Sequence, residues 1–108
     1  MTEIRSRARS RRGLLAVIRR AVREETEILD LSGNGIKEFP AEVNQLRNLK
    51  ELILRGNDLI TLPESIGELS ELRYLEVGSC KLTSVPEPRQ LLSQVYVSGT
   101  QAVDGAVF

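Results

Sequence analysis

The 108-residue chain has no histidine, no tryptophan and one cysteine. Without histidine, His-dependent nucleophilic triads, the HExxH zinc signature and imidazole metal sites are excluded. A single cysteine, Cys80, cannot build a disulfide framework, and this favours a reducing compartment. Long apolar runs are missing too: nothing approaches the roughly 20 residues needed to cross a bilayer. The run from Gly13 to Ile18 is too short for a secretory signal, and Arg19-Arg20 follows at once. The turns Gly33-Asn34-Gly35 and Gly56-Asn57-Asp58 precede no Gly-Lys-Ser/Thr, so they are turn chemistry and not phosphate loops. Glu24, Glu25 and Glu27 cluster at a helix-to-strand junction without partner chemistry and read as a solvated face. No enzyme activity, cofactor or metal site is expected.

What is present is a repeat of period 23. Ile28-Leu29-Asp30-Leu31-Ser32-Gly33-Asn34-Gly35-Ile36 aligns with Glu51-Leu52-Ile53-Leu54-Arg55-Gly56-Asn57-Asp58-Leu59 and with Tyr74-Leu75-Glu76-Val77-Gly78-Ser79-Cys80-Lys81-Leu82. The register continues through Phe39-Pro40, Leu62-Pro63 and Val85-Pro86, and again at Leu46, Leu69 and Leu92. Each unit opens with Leu-x-Leu, the alternation of a short strand with one buried face. Proline, lacking an N–H and fixed in φ, punctuates the return. Val43 with Leu46, and Ile66 with Leu69, fill an outer layer, and Leu49 and Leu72 lead into the next strand.

These residues resemble the leucine-rich repeat pattern LxxLxLxxNxLxxLPxxIxxL over roughly residues 26 to 97. The Leu-Pro after the turn is similar to the cytosolic subclass found in Ras-suppressor, Scribble-like and Roco proteins. The resemblance implies a short α/β solenoid with a parallel sheet on its concave side. It also implies an inward ladder asparagine that satisfies turning backbone, a position where Cys80 would stand buried and inert. It further implies a non-enzymatic protein-interaction module in the cytoplasm, with small GTPases or their complexes among the partner classes. Secreted members usually have cysteine-clustered caps, which are absent here. No G-domain motif follows the repeats. A solenoid closes its core at about three repeats, so marginal stability, dependence on end caps, or a fragment of a longer array is expected.

Charge divides the chain. Residues 1–23 carry eight arginines against Glu3, a net +7, and the remainder is −7. Residues 1–12 are basic and poor in apolar side chains, and are expected to be a disordered arm. Three roles stay open for that arm: a solvated tail folding back on the acidic body, an organelle-targeting segment, or a contact with nucleic acid or an anionic membrane. Residues 13–25 read as a helix with Leu14, Leu15, Ile18, Ala21 and Val22 on one face, capping the core; a membrane-surface helix is the alternative. Residues 26–86 are the repeats, so that the domain runs from 13 to 108. Residues 87–108 read as a degenerate last repeat and cap. Val95 to Thr100 forms its strand and turn, about three residues early against Leu75. If Val103 to Phe108 leave that strand uncovered, it is an edge open to self-association.

Function is then expected on the outward positions between the leucines. The outer column runs Ile28, Glu51, Tyr74, and the central column Asp30, Ile53, Glu76, with Tyr96 extending it beside Glu76. Ser32, Arg55 and Gly78 come next, then Gly35, Asp58 and Lys81 beyond the turn. An exposed Ile53 beside Tyr74 would form a small apolar anchor with a charged rim, the build of a binding hot spot. The candidate partner-binding set is Asp30, Glu51, Ile53, Arg55, Asp58, Tyr74, Glu76 and Lys81.

Overall fold

A strand of three residues buries one side chain, so it persists only where neighbours stack beside it. The computed structural model describes residues 3–5, 11–38, 40–60, 66, 68–78 and 96–98. Five such strands form one parallel sheet in chain order: β1 (Glu3–Arg5), β2 (Ile28–Asp30), β3 (Glu51–Ile53), β4 (Tyr74–Glu76) and β5 (Tyr96–Ser98). Parallel pairing demands a crossover between neighbours. The helix α1 (Arg11–Arg23) supplies the first, and a 3₁₀ turn (Ala41–Gln45), entered through buried Pro40, lies in the second.

The period becomes a set of buried columns. Leu29, Leu52 and Leu75 pair in register and are fully buried. Leu31, Leu54 and Val77 form a second column, Val43 with Ile66 and Leu46 with Leu69 the outer layer, and Leu49 with Leu72 the lead-in. Each such side chain contributes roughly 1.5–3 kcal/mol on burial. The lead-in column begins at Thr26, buried like its counterparts, but its Oγ1 has no hydrogen-bond partner.

Asn57, only 2% exposed, stitches two turns together. Its Oδ1 accepts from the Asn34 N–H (2.9 Å) and the Ile36 N–H (3.1 Å). Its Nδ2 donates to the Leu31 and Leu54 carbonyls at 3.0 and 2.7 Å. The ladder role implied for this asparagine is therefore filled, with every amide valence used. Gly33 and Gly56 stack at equivalent places in these turns with φ of +65° and +74°, a conformation that side chains other than glycine rarely adopt.

At residues 3–5 the chain departs from the expectation of a disordered arm over residues 1–12. Glu3–Arg5 pairs with β2, and Ile4, 3% exposed, extends the Leu29 column. The reason is local: one apolar residue flanked by polar ones suffices for a strand this short, although the segment's composition argues against order. Ile4 precedes Leu29 by 25 residues and not 23, so β1 and α1 together make a first, irregular unit. The helix starts at Arg11 and ends at Arg23, two residues earlier at each end than expected. Leu14, Ile18 and Ala21 are buried, while Leu15, Val17 and Val22 are half-buried. The helix ends in a Schellman motif: the Thr26 N–H donates to the Ala21 carbonyl (3.0 Å) and the Glu25 N–H to that of Val22 (3.2 Å). Glu25 holds the left-handed position at φ 51° where glycine is usual.

At the other end β5 forms, but in a different register from the one expected. Val97, not Val95, pairs with Leu75, so the spacing is 22 residues, one short of the period. Tyr96 therefore stands beside Tyr74 in the outer column, and Ser98 beside Glu76. Backbone pairing, not the residue count, sets this register: the middle residue of Tyr-Val-Ser is the one opposite Leu75. Cys80, Pro63, Pro86 and Val103 to Phe108 lie outside the described residues.

Candidate functional site: the outward face of the sheet

With the Leu29 and Leu31 columns turned inward, the face is built from the residues between them. The outer row reads Glu3, Ile28, Glu51, Tyr74, Tyr96, and the central row Arg5, Asp30, Ile53, Glu76, Ser98. The ladder continues past the strands: Gly33 N–H donates to the Arg55 carbonyl and Gly56 N–H to that of Gly78, both at 2.8 Å. The turns that carry Arg55 and Asp58 are thereby fixed relative to the sheet.

Two carboxylates of the central row serve their own turns. Asp30 Oδ1 accepts from the Ser32 N–H (3.0 Å) and hydroxyl (2.6 Å), while Oδ2 lies 3.8 Å from Arg5 Nε. Glu76 accepts from the Gly78 N–H at 2.9 Å and from the Tyr74 hydroxyl at 3.0 Å. Arg5 is also paired with Glu3. Between those carboxylates sits Ile53, which is half-buried and not exposed as expected, because Asp30 and Glu76 flank it at strand spacing. Glu51 is half-buried and Arg55 exposed. Among the described residues neither side chain makes a hydrogen bond or ion pair. Asp58 is half-buried, its N–H donating to the Ile36 carbonyl at 2.9 Å. Lys81 lies outside the described residues. The structure thus brings Asp30, Glu51, Ile53, Tyr74 and Glu76 into two adjoining rows, with Arg55 and Asp58 at their turn end.

Glu3 and Arg5 are members of this face that the period could not reveal. The signal was a three-residue alternation, Glu3-Ile4-Arg5, hidden in a basic segment and out of phase by two residues.

The opposite rim carries different chemistry. Glu27 and Lys50 pair at 2.9 Å. The hydrogen bond from Lys50, and then its charge, hold the Glu27 carboxyl below its ordinary value, and the same contacts raise Lys50. Grooves of about 260 and 350 Å³ open here, sharing Glu25, Arg47 and Asn48, and neither includes a residue of the sheet face. Among the described residues no group of three or more Cys, Asp or Glu is placed to hold a metal ion, and no helix is long and apolar enough to cross a membrane.

Comparison with known proteins bears on this geometry. A family model described as leucine rich repeat matches residues 24–82, more than half of the chain. A solved leucine-rich repeat protein of Leptospira interrogans is similar at 27% identity with a TM-score of 0.67. That likeness covers 88% of this chain and 23% of the other, so the chain spans about a quarter of that protein. No curated protein matches the sequence.

Proposed function

The chain belongs to the leucine-rich repeat family, and from that premise we propose a non-enzymatic module that docks a protein partner on the concave sheet face. One observation carries the reading. In-register pairing sets Tyr74 beside Glu51 and on the diagonal from Ile53, on one outward surface with Arg55, and among the described residues the Glu51 and Arg55 side chains make no ion pair. An apolar anchor rimmed by charge is how a few residues come to dominate an interface. Small GTPases or their complexes are the partner class the subfamily resemblance suggests. A reducing compartment, the cytoplasm first, belongs to the same proposal and rests on the single cysteine.

A second reading is favoured by a specific feature of α1. Arg12, Arg19 and Arg23 are exposed at spacings of seven and four, in line along the helix, and make no ion pair among the described residues. The apolar face of the helix is spent in the core, which leaves it only electrostatics to offer a polyanion such as nucleic acid or an anionic membrane.

Capture from nuclease-treated lysate separates the two. The intact chain would be compared with Arg55→Glu/Tyr74→Ala and with Arg12→Ala/Arg19→Ala/Arg23→Ala, each checked for folding by circular dichroism. Loss of a partner only with the first variant supports the concave module. Loss only with the second, steep in salt, supports the polyanion reading.

A further inference from the structure

We infer, resting on the proposed concave-face function, that the partner is an extended polypeptide segment presenting a cation, an apolar residue and an anion at alternate positions along β3 and the turn that follows it. The cation meets Glu51, the apolar residue Ile53, and the anion Arg55.

The inference starts from which valences of the face are already used. Asp30 caps the Ser32 turn, Glu76 binds Tyr74 and the Gly78 amide, and Glu3 and Arg5 hold each other. Tyr74 and Asp58 also make internal interactions. Glu51 and Arg55 alone among the described charged side chains of this face make none. They are opposite in sign: Glu51 opens β3, and Arg55 stands two residues beyond Ile53 at the start of the turn, where its carbonyl still accepts from the Gly33 N–H. The spacing of the three selects the ligand's conformation. Alternate residues of a strand advance about 6.6 Å, and the ladder runs on past β3 where the Leu54 and Gly56 N–H groups donate to the Glu76 and Gly78 carbonyls, so Glu51, Ile53 and Arg55 span roughly 13 Å. An extended ligand advances by the same step and keeps all three contacts in register. An α-helical ligand keeps an even step near this length only at i, i+4 and i+8, turning about 40° each time, and its in-line set i, i+4 and i+7 spans only about 10.5 Å, short of the third group. A segment running parallel to β3 reads basic–x–apolar–x–acidic, and an antiparallel one reads the reverse.

The test uses the full chain and a random-peptide display library as probe. Selection on the wild type is expected to enrich peptides with one apolar residue bracketed, two positions away on each side, by opposite charges. The double exchange Glu51→Arg/Arg55→Glu keeps composition and fold. It is expected to weaken the enriched peptides about tenfold and to bind their charge-exchanged versions in their place. Peptides without the bracket, or peptides whose affinity ignores the exchange, would overturn the inference. If those peptides still lose binding to Arg55→Glu/Tyr74→Ala, the docking face stands and only the charge order fails. If they do not, the face itself is wrong.

Discussion

Replacing Asn57 by alanine removes four hydrogen bonds from a site that water does not reach. The Leu31 carbonyl keeps its second donor, Asn34 Nδ2 at 2.7 Å, but the buried Ile36 N–H loses its acceptor. Four bonds at a net of about 1 kcal/mol each amount to about 4 kcal/mol. A domain of this size at the lower end of typical stability has about 5 kcal/mol in all. Asn57→Ala is therefore expected to be close to unfolded at room temperature. Urea titration followed by circular dichroism would show the midpoint falling most of the way to zero. Asn34→Ala, at a half-exposed position whose amide donates within its own turn, is expected to lose about 1 kcal/mol. Asn57→Asp adds a check of sign. Its carboxylate would keep the two N–H donors but face two carbonyl oxygens, so its folded pKa rises above the ordinary aspartate value of about 3.9. Between those two values the folded chain holds a proton that the unfolded chain has released, so stability rises as pH falls through that window. A loss under about 1 kcal/mol for Asn57→Ala would refute the ladder argument.

Three further outcomes are expected. Thr26→Val removes a buried hydroxyl that has no partner and keeps the shape, so thermal unfolding should shift upward by the equivalent of about 1–2 kcal/mol. Glu25→Gly relieves the left-handed backbone at the helix end, and a gain of about 1 kcal/mol should appear in the same assay. The Glu27–Lys50 pair should add to stability above the ordinary carboxyl value of 4.5 and below the ordinary amine value of 10.5. Its contribution is lost as pH falls through the lowered Glu27 value or rises through the raised Lys50 value. Lys50→Met should flatten the acid limb of a stability–pH profile, and salt should blur the difference.

Wherever the period holds, fold and face were readable from residues alone. Leu29, Leu52 and Leu75 recur at one spacing, so the alternation named Asp30, Ile53 and Glu76 as neighbours before any pairing was known. Reading failed where the spacing slips. Ile4 stands 25 residues before Leu29, and Val97 stands 22 after Leu75. Neither offset can be counted from a 23-residue rule, because connections of different length reach the same strand position. Side-chain commitments were illegible for another reason. That the Glu76 carboxylate serves its own turn, while Glu51 on the neighbouring strand has no partner among the described residues, depends on rotamers and distances of a few ångströms. Ile53 illustrates the same limit, its half-burial set by neighbours that periodicity names but does not size.

Site-specific photo-crosslinking asks most directly whether the concave face is the docking surface. A photoreactive residue would be placed at Ile53 on the sheet face, at Ala16 on the exposed side of α1 between Arg12 and Arg19, and at Ile60, 56% exposed and outside the sheet. The expected result is one partner crosslinked from position 53 and from neither of the others. The same partner crosslinked from position 16 or 60, with nothing from 53, would contradict the account.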